Sequence, residues 1–534
     1  MPLPLRDALT CLSLANLSFL RVWEQLLAYR QGDQFLMKRV PEPADYLAAL
    51  TSMILLAGLL WAVVLVCRKY FHGRSFRIIR FFSFALVLIP LNTLRAALAA
   101  RYSVRYLRSP LLEIIGTHAT LLLSLPLILV ILWFGWKWQR LIAKAAVAGL
   151  LALLPFCGLT FAEALWATAH YRGQPFQPHP LAPRLPGIPA ARVVWMIFDE
   201  WDYRLTFVDR PQGLSMPAAD RLRAESISAA QAYSPARDTD ESLPSLITGR
   251  FLRFIGSGRS DFSAESVEGL DRVPWNRVPT IFSAARGMGL NVGLVGWYLP
   301  YCRMVNEFVT DCQWWPLPNQ ANSTGDTYFQ KVLGQLLSLV ETNLYSPFGQ
   351  SRTVRYKVAI NKESLERAEA AVSDPGLGLV FLHLPVPHAP HVYNRLTGRM
   401  DAKNQSVRGY IDSLALTDKY LEVLRHDMEA RGLWDKTAVI ASADHPFRES
   451  VAFDGKYDTY VPFMVKLAGH PTPASYIYPF HTILTSELVT SILNGSISTT
   501  PDVLGWLNRH RNESEAVLPP ATAPETPSGG PEPK

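Results

Sequence analysis

Long apolar runs open the chain, and a different pattern follows them. Leu47 to Val66 reads LAALTSMILLAGLLWAVVLV, without a charge. Further runs cover Phe81 to Ala100, interrupted only by Arg95, then Leu111 to Trp136, with Glu113 and His118 near its start, and Leu141 to Ala169. Each is long enough to cross a hydrocarbon core of ~30 Å at ~1.5 Å per residue. A fifth candidate, Leu5 to Tyr29, carries Arg21 and Glu24 and reads either as a span or as an interfacial helix. Its charged leader is short and no A-x-A-like site closes it, so it does not read as a cleavable signal peptide. Residues 1–170 are therefore expected to be a transmembrane unit of about five helices. Arg68, Lys69, Arg74, Arg77 and Arg80 make the densest basic loop, which is expected on the cytoplasmic side. Lys137, Arg140 and Lys144 flank a later loop on that side, against Arg101, Arg105 and Arg108 on the other. Five spans with a cytoplasmic amino terminus put everything after about His170 outside.

From Arg192 onward short apolar runs alternate with amphipathic stretches. VVWMIF (Val193–Phe198), VGLVGW (Val292–Trp297), LVFLHL (Leu379–Leu384), TAVIASA (Thr437–Ala443) and PFMVKL (Pro462–Leu467) read as buried strands. Thr280–Gly289, Tyr328–Glu341, Lys362–Ser373 and Val407–Arg431 read as the helices between them. Buried strands joined by helices predict an α/β domain with a mostly parallel, doubly wound sheet. A Pro-rich linker over 171–191 separates it from the membrane unit, and the domain covers 192–511. The tail, 512–534, is rich in Pro, Glu, Ala and Thr and is expected to be disordered.

Composition agrees with this division. The 534 residues are 18% charged, against about 25% in soluble domains. The net charge of +7 is mild, and no Lys/Arg block lies outside the membrane flanks, which argues against nucleic-acid binding. Cys302 and Cys312 are the only cysteines of the long carboxyl-terminal part. In an exported domain they suit a disulfide; otherwise they are two unrelated buried thiols.

Ligands of open α/β sheets bind beyond the carboxyl ends of the strands. Here those ends carry Asp199-Glu200, then His383 leading into His388 and His391, and Asp444-His445. Carboxylates with imidazole suit a divalent metal such as Zn or Mn better than Ca, which prefers oxygen alone. Five cysteines, three of them in or beside spans, are too few for a thiolate site. SPARDTDESLPSLITGR, Ser234 to Arg250, places Thr239 at a helix start. A hydroxyl there, beside a metal, can ionise near neutral pH, and the helix end favours an incoming anion.

Together these segments resemble the sulfatase and alkaline-phosphatase superfamily over most of Arg192 to Leu467. LITGR, Leu246 to Arg250, is similar to the end of the sulfatase nucleophile motif and puts Thr239 in the nucleophile slot. Asp199-Glu200 resembles the acidic pair after the first strand, and Asp444-His445 the late pair that completes the metal shell. Pro387-His388-Ala389-Pro390 resembles the segment whose histidine binds substrate. The resemblance therefore implies Thr239, Asp199, Glu200, Asp444 and His445 at the metal, with His388 and His383 toward the substrate. Lys456, in FDGKYDTYVP, is a candidate for the substrate anion or a solvated turn lysine.

A threonine β-carbon carries a methyl, so residue 239 cannot become the formylglycine of true sulfatases. Thr239, Ser242 and Pro244 fit the T-x-x-S-x-P segment of members that use the hydroxyl directly. Such members include lipid A phosphoethanolamine transferases and lipoteichoic acid synthases, which this chain resembles. The resemblance implies a bacterial inner-membrane, multi-pass protein with a periplasmic or extracellular domain. It implies a metal-dependent transfer of a phospho-substituent from a membrane lipid to an envelope glycan or lipid through phosphothreonine, with no organic cofactor. The alternatives are a sulfatase-like ester hydrolase and a non-catalytic binding member. Pro446 stands where the family has Gly; proline fixes φ near about −65°, so that loop must turn in its own way.

Overall fold

The uncharged run from Leu47 forms one helix, Pro43–Tyr70, begun by Glu42 and Asp45 in a reciprocal cap with Pro43 in the first turn. It belongs to a computed structural model in which residues 3–27, 41–102, 117–170, 191–256, 262–266, 272–316, 327–343, 347–400 and 407–516 are described. Among them three stretches are long and apolar enough to cross a bilayer: Pro43–Tyr70, Gly73–Leu94 and Leu132–Ala169. The Leu111–Trp136 run begins outside the described residues. The Leu5–Tyr29 run breaks at Phe19 into Leu3–Ser18 and Leu20–Leu27. Sixteen residues rise only about 24 Å, short of a hydrocarbon core of about 30 Å.

The chain divides into two compact units, the first comprising 1–35, 39–173 and 319–349. Its core joins Ala15, Phe19, Trp23, Tyr46, Ala49, Met53 and Ala164, with small residues where helices approach closely. The helix Tyr328–Asn343, expected between strands of the α/β domain, packs instead against Pro43–Tyr70 in this unit.

The second unit holds 36–38, 174–318 and 350–534. In chain order its strands are β1 (Arg192–Phe198), β2 (Ile227–Tyr233), β3 (Leu252–Gly256), β4 (Phe262–Ser266), β5 (Arg272–Pro274), β6 (Val292–Trp297), β7 (Asp311–Trp315), β8 (Leu379–Leu384), β9 (Tyr393–Asn394), β10 (Arg399–Met400), β11 (Thr437–Ala443), β12 (Phe463–Lys466) and β13 (Ala474–His481). Eight of them form one sheet in the order β13-β2-β12-β11-β1-β8-β6-β7. It is parallel except where β12 pairs with β11 and β2. β1, β6, β8, β11 and β12 are the five strands expected from apolar runs, buried at every residue. Such runs belong in a sheet covered on both faces. β2 and β13 alternate buried with more exposed residues and carry few aliphatics, so no apolar run announces them. Cys302 and Cys312 form a disulfide, with Cα atoms 5.6 Å apart, between the helix Tyr301–Met304 and β7.

The linker lies outside the described residues from 171 to 190. The tail departs from expectation at its start: Arg511–Ala516 is helical, and the Ser514 hydroxyl accepts a hydrogen bond from His481 N at 3.2 Å. The rest of the tail, 517–534, lies outside the described residues.

One register positions the chemistry. β1 lies between β11 and β8, with Phe198 level with Ala443 on one side and Leu384 on the other. The residues that leave β1 and β11, Asp199 and Asp444, thus emerge side by side at the carboxyl edge, with His383 one position inside β8.

Candidate metal centre

Asp199, Asp444 and His445 are wholly buried, and their donor atoms lie within 4.8 Å of one another. Trp297 Nε1 donates to Asp199 Oδ2 at 2.7 Å, while the buried Asp199 Oδ1 has no hydrogen-bond partner. Asp444 Oδ1 accepts from the backbone N–H groups of Glu200 and His445, at 3.0 and 2.8 Å. His445 Nδ1 is 3.1 Å from the Pro446 carbonyl. A carbonyl only accepts, so Nδ1 carries the proton and Nε2 presents its lone pair to the cluster. Nε2 is 3.4 Å from Asp444 Oδ2 and 3.8 Å from Asp199 Oδ1. The carbonyl of the proline after the Asp-His pair thus orients the imidazole.

Thr239 begins the helix Thr239–Thr248 after Asp238, whose backbone is extended. Its hydroxyl is 3.0 Å from Asp444 Oδ2 and 3.2 Å from His445 Nε2, and is buried. The Ser242 hydroxyl donates to the Asp444 carbonyl and ties the helix to the end of β11. Spacing of three puts both hydroxyls on one helix face. Gly249 ends the helix at φ +68°, where a Cβ would meet Ser486 Oγ at 2.6 Å. Gly249→Ala is expected to cost about 1–2 kcal/mol through positive φ and that collision, read as a lowered thermal midpoint.

Glu200, expected with Asp199 at the metal, is turned away. It has φ +66°, a left-handed conformation unusual outside glycine, and its carboxylate accepts from Arg448 Nη2 at 2.9 Å and Nε at 3.1 Å. Its own carbonyl accepts from the Tyr410 hydroxyl at 2.6 Å. Only Asp199 of the acidic pair enters the cluster.

The charges explain what this arrangement needs. Burial pushes the Asp199 carboxyl well above the usual range, and the Asp444 and Glu200 carboxylates push it further. Burial also opposes ionisation of Glu200, but His388, His445 and Arg448 outweigh it and hold it at about 2. A divalent cation between Asp199 and Asp444 would relieve their repulsion and use the orphaned oxygen. Two carboxylates, an imidazole and a hydroxyl fit Zn or Mn by donor type.

The other expected residues divide. His383 is buried behind Asp199: Nδ1 is 3.0 Å from the Trp297 carbonyl and from the Tyr301 hydroxyl, and Nε2 is 3.7 Å from Asp199 Oδ2. Burial lowers its pKa to about 4. His388 sits on the loop after β8, edge-on to the Trp297 ring at 5.1 Å. His391 turns to Ser413, with Nδ1 3.1 Å from its hydroxyl. Lys456 is exposed and pairs with Asp209 at 2.9 Å, not with the cluster. Lys456→Ala is therefore expected to change turnover by no more than about twofold, as for an exposed ion pair.

Three neighbours escaped the sequence reading. Trp297 holds Asp199, Arg448 holds Glu200, and Lys357 lies fully buried with Nζ 4.3 Å from the Trp297 ring centroid and 2.7 Å from the Pro385 carbonyl. Burial takes the Lys357 ammonium down to about 7, against the pull of Asp199 and Glu200. Arg448, three residues after His445, was within reach of a local reading. Trp297 looks like any buried strand residue, and Lys357 like any lysine of a long helix.

The family model described as Sulfatase matches residues 193–507. No curated protein matches the chain in sequence. Among solved structures, Ps i-CgsB in complex with k-i-k-neocarrahexaose is similar at 15% identity, covering 59% of this chain and 74% of that one, with a TM-score of 0.41. The phosphonate monoester hydrolase SpPMH from Silicibacter pomeroyi is similar at 14% identity over 62% and 78%, with a TM-score of 0.39. The lipoteichoic acid synthase LtaP from Listeria monocytogenes is similar at 12% identity over 60% and 76%, with a TM-score of 0.38.

Proposed function

The chain belongs to the sulfatase family, and we propose that it is a membrane-anchored, metal-dependent phosphotransferase of the cell envelope. It moves a phosphoethanolamine- or phosphoglycerol-like group from a lipid donor to an envelope acceptor, through a phosphothreonine at residue 239. One observation carries the reading: a threonine hydroxyl, buried at a helix amino end, lies 3.0 Å from Asp444 Oδ2 and 3.2 Å from His445 Nε2. Threonine cannot be oxidised to the aldehyde on which sulfate-ester chemistry in this family depends. It can act as an alcohol.

Asp199, Asp444, His445 and the Thr239 hydroxyl would hold a divalent metal, which would supply Lewis-acid charge favouring the ionised hydroxyl and the phosphoryl oxygens. Thr239 Oγ1 attacks phosphorus in line, the Oγ1–P bond forms, and the bond to the lipid alcohol breaks. The amino end of the helix favours the anion that arrives there. An acceptor hydroxyl then attacks the phosphothreonine and restores Thr239, so kinetics are ping-pong. His388, beside Trp297, is the residue we assign to the transferred group. The apolar helices and the disulfide support a bacterial inner-membrane protein with its catalytic domain outside.

The test is a single turnover. Full-length protein in detergent receives a lipid phosphodiester donor without acceptor and is quenched in acid. A phospho-adduct on the peptide containing Thr239 is the expected result; turnover without any adduct contradicts it. Release of the free anion, with no modified acceptor when acceptor is supplied, makes the protein a hydrolase using water at the same site.

A further inference from the structure

We infer that the helix Tyr328–Asn343 is embedded in the membrane leaflet in which Pro43–Tyr70 begins, with acyl chains covering its outer face. The chain leaves the second unit after β7 and returns before β8, and the intervening segment, 319–349, belongs to the first unit. One face of this helix is fixed to the span. The Tyr328 hydroxyl pairs with Thr51 Oγ1 at 2.7 Å, and Val332 O accepts from the Ser52 hydroxyl at 3.1 Å. Lys331, on the same face, is buried and ion-paired with Asp45, and Gln335 Nε2 donates to the Asp45 carbonyl at 3.1 Å.

The opposite face is apolar and open. Phe329 is 73% exposed, Leu333 45%, Leu337 46% and Val340 40%. The spacing of four, four and three puts them in one stripe. Water is the wrong solvent for such a stripe on a helix whose lysine is neutralised inward.

Depth decides the occupant. Thr51 and Ser52 lie inside the uncharged run that starts at Leu47, about 6 Å along the helix from it. The contacts to Thr51 and Ser52 therefore carry the start of Tyr328–Asn343 below the polar end of the span, and Lys331 and Gln335, on Asp45, bring its middle to the level of that end, so the helix lies in the outer part of the leaflet. The surface beside it on Pro43–Tyr70 is apolar too, with Leu47, Ile54 and Leu55 exposed. The stripe thus continues a lipid-facing surface. A helix satisfies its own backbone in hydrocarbon, and the buried Lys331 is paired with Asp45, which offsets the cost of its charge at that depth.

The test uses full-length protein in phosphatidylethanolamine/phosphatidylglycerol liposomes. Cys11, Cys67 and Cys157, the free cysteines, are replaced by serine, and a nitroxide is attached at Leu337→Cys or Leu333→Cys. The expected result is relaxation by oxygen several-fold stronger than by a water-soluble nickel chelate. The reverse ranking overturns the inference, because the stripe is then in water. Protection from both reagents also overturns it, because a protein then covers the stripe. Wild-type protein gives an independent reading with a lipid carrying a photoactivatable group in its acyl chain. Adducts are expected on the peptide spanning 328–343, and their absence while Pro43–Tyr70 is labelled contradicts the inference.

Discussion

Thr239→Ala is expected to abolish turnover of phosphodiesters, by about 10³-fold or more, as loss of an enzyme's nucleophile does. The change deletes the hydroxyl that lies within reach of both Asp444 Oδ2 and His445 Nε2. It leaves the helix intact, because alanine is a good helix former and the Ser242 anchor to Asp444 remains. Thr239→Ser keeps the hydroxyl and is expected to retain a measurable fraction. Steady-state kcat/KM, with circular dichroism to confirm folding, separates the cases. Full activity of Thr239→Ala toward any phosphodiester would remove the covalent mechanism.

The second large effect is thermodynamic. Asp199 and Asp444 are buried together, and Asp199 Oδ1 has no hydrogen-bond partner. A tightly held metal binds only the folded state, so at about 1,000 times its dissociation constant it contributes about 4 kcal/mol. Chelation of the wild-type protein is expected to lower the thermal midpoint accordingly, and re-addition of Zn or Mn to restore it. In Asp444→Ala the shift is expected to vanish. An equal shift in the variant would mean that the chelated ion sits elsewhere.

Much of the site was legible because its residues sit where sequence patterns end. Asp199 and Asp444 each follow an apolar strand, and the adjacent register of β1 and β11 does the rest. Thr239 was legible from the spacing to LITGR, and the spacing works because Gly249 alone tolerates the helix end against Ser486. Glu200 was misread for a simple reason. Two adjacent carboxylates look equivalent in sequence, but a left-handed turn at Glu200 sends its side chain to Arg448. Of the two readings of Lys456, the structure has the solvated one, paired with Asp209, and nothing local announces that partner. The helix Tyr328–Asn343 shows the limit of periodicity: a 3.6-residue repeat tells that one face is buried, not whether a sheet or a span buries it. Trp297 and Lys357 act through contacts across the sheet edge and carry no local pattern at all.

Metal analysis of purified full-length protein, wild type beside Asp444→Ala, tests the central claim most directly. Near-stoichiometric Zn or Mn in the wild type, lost in the variant, is the predicted result. A well-folded wild type that retains no metal, even after incubation with Zn or Mn, would contradict it.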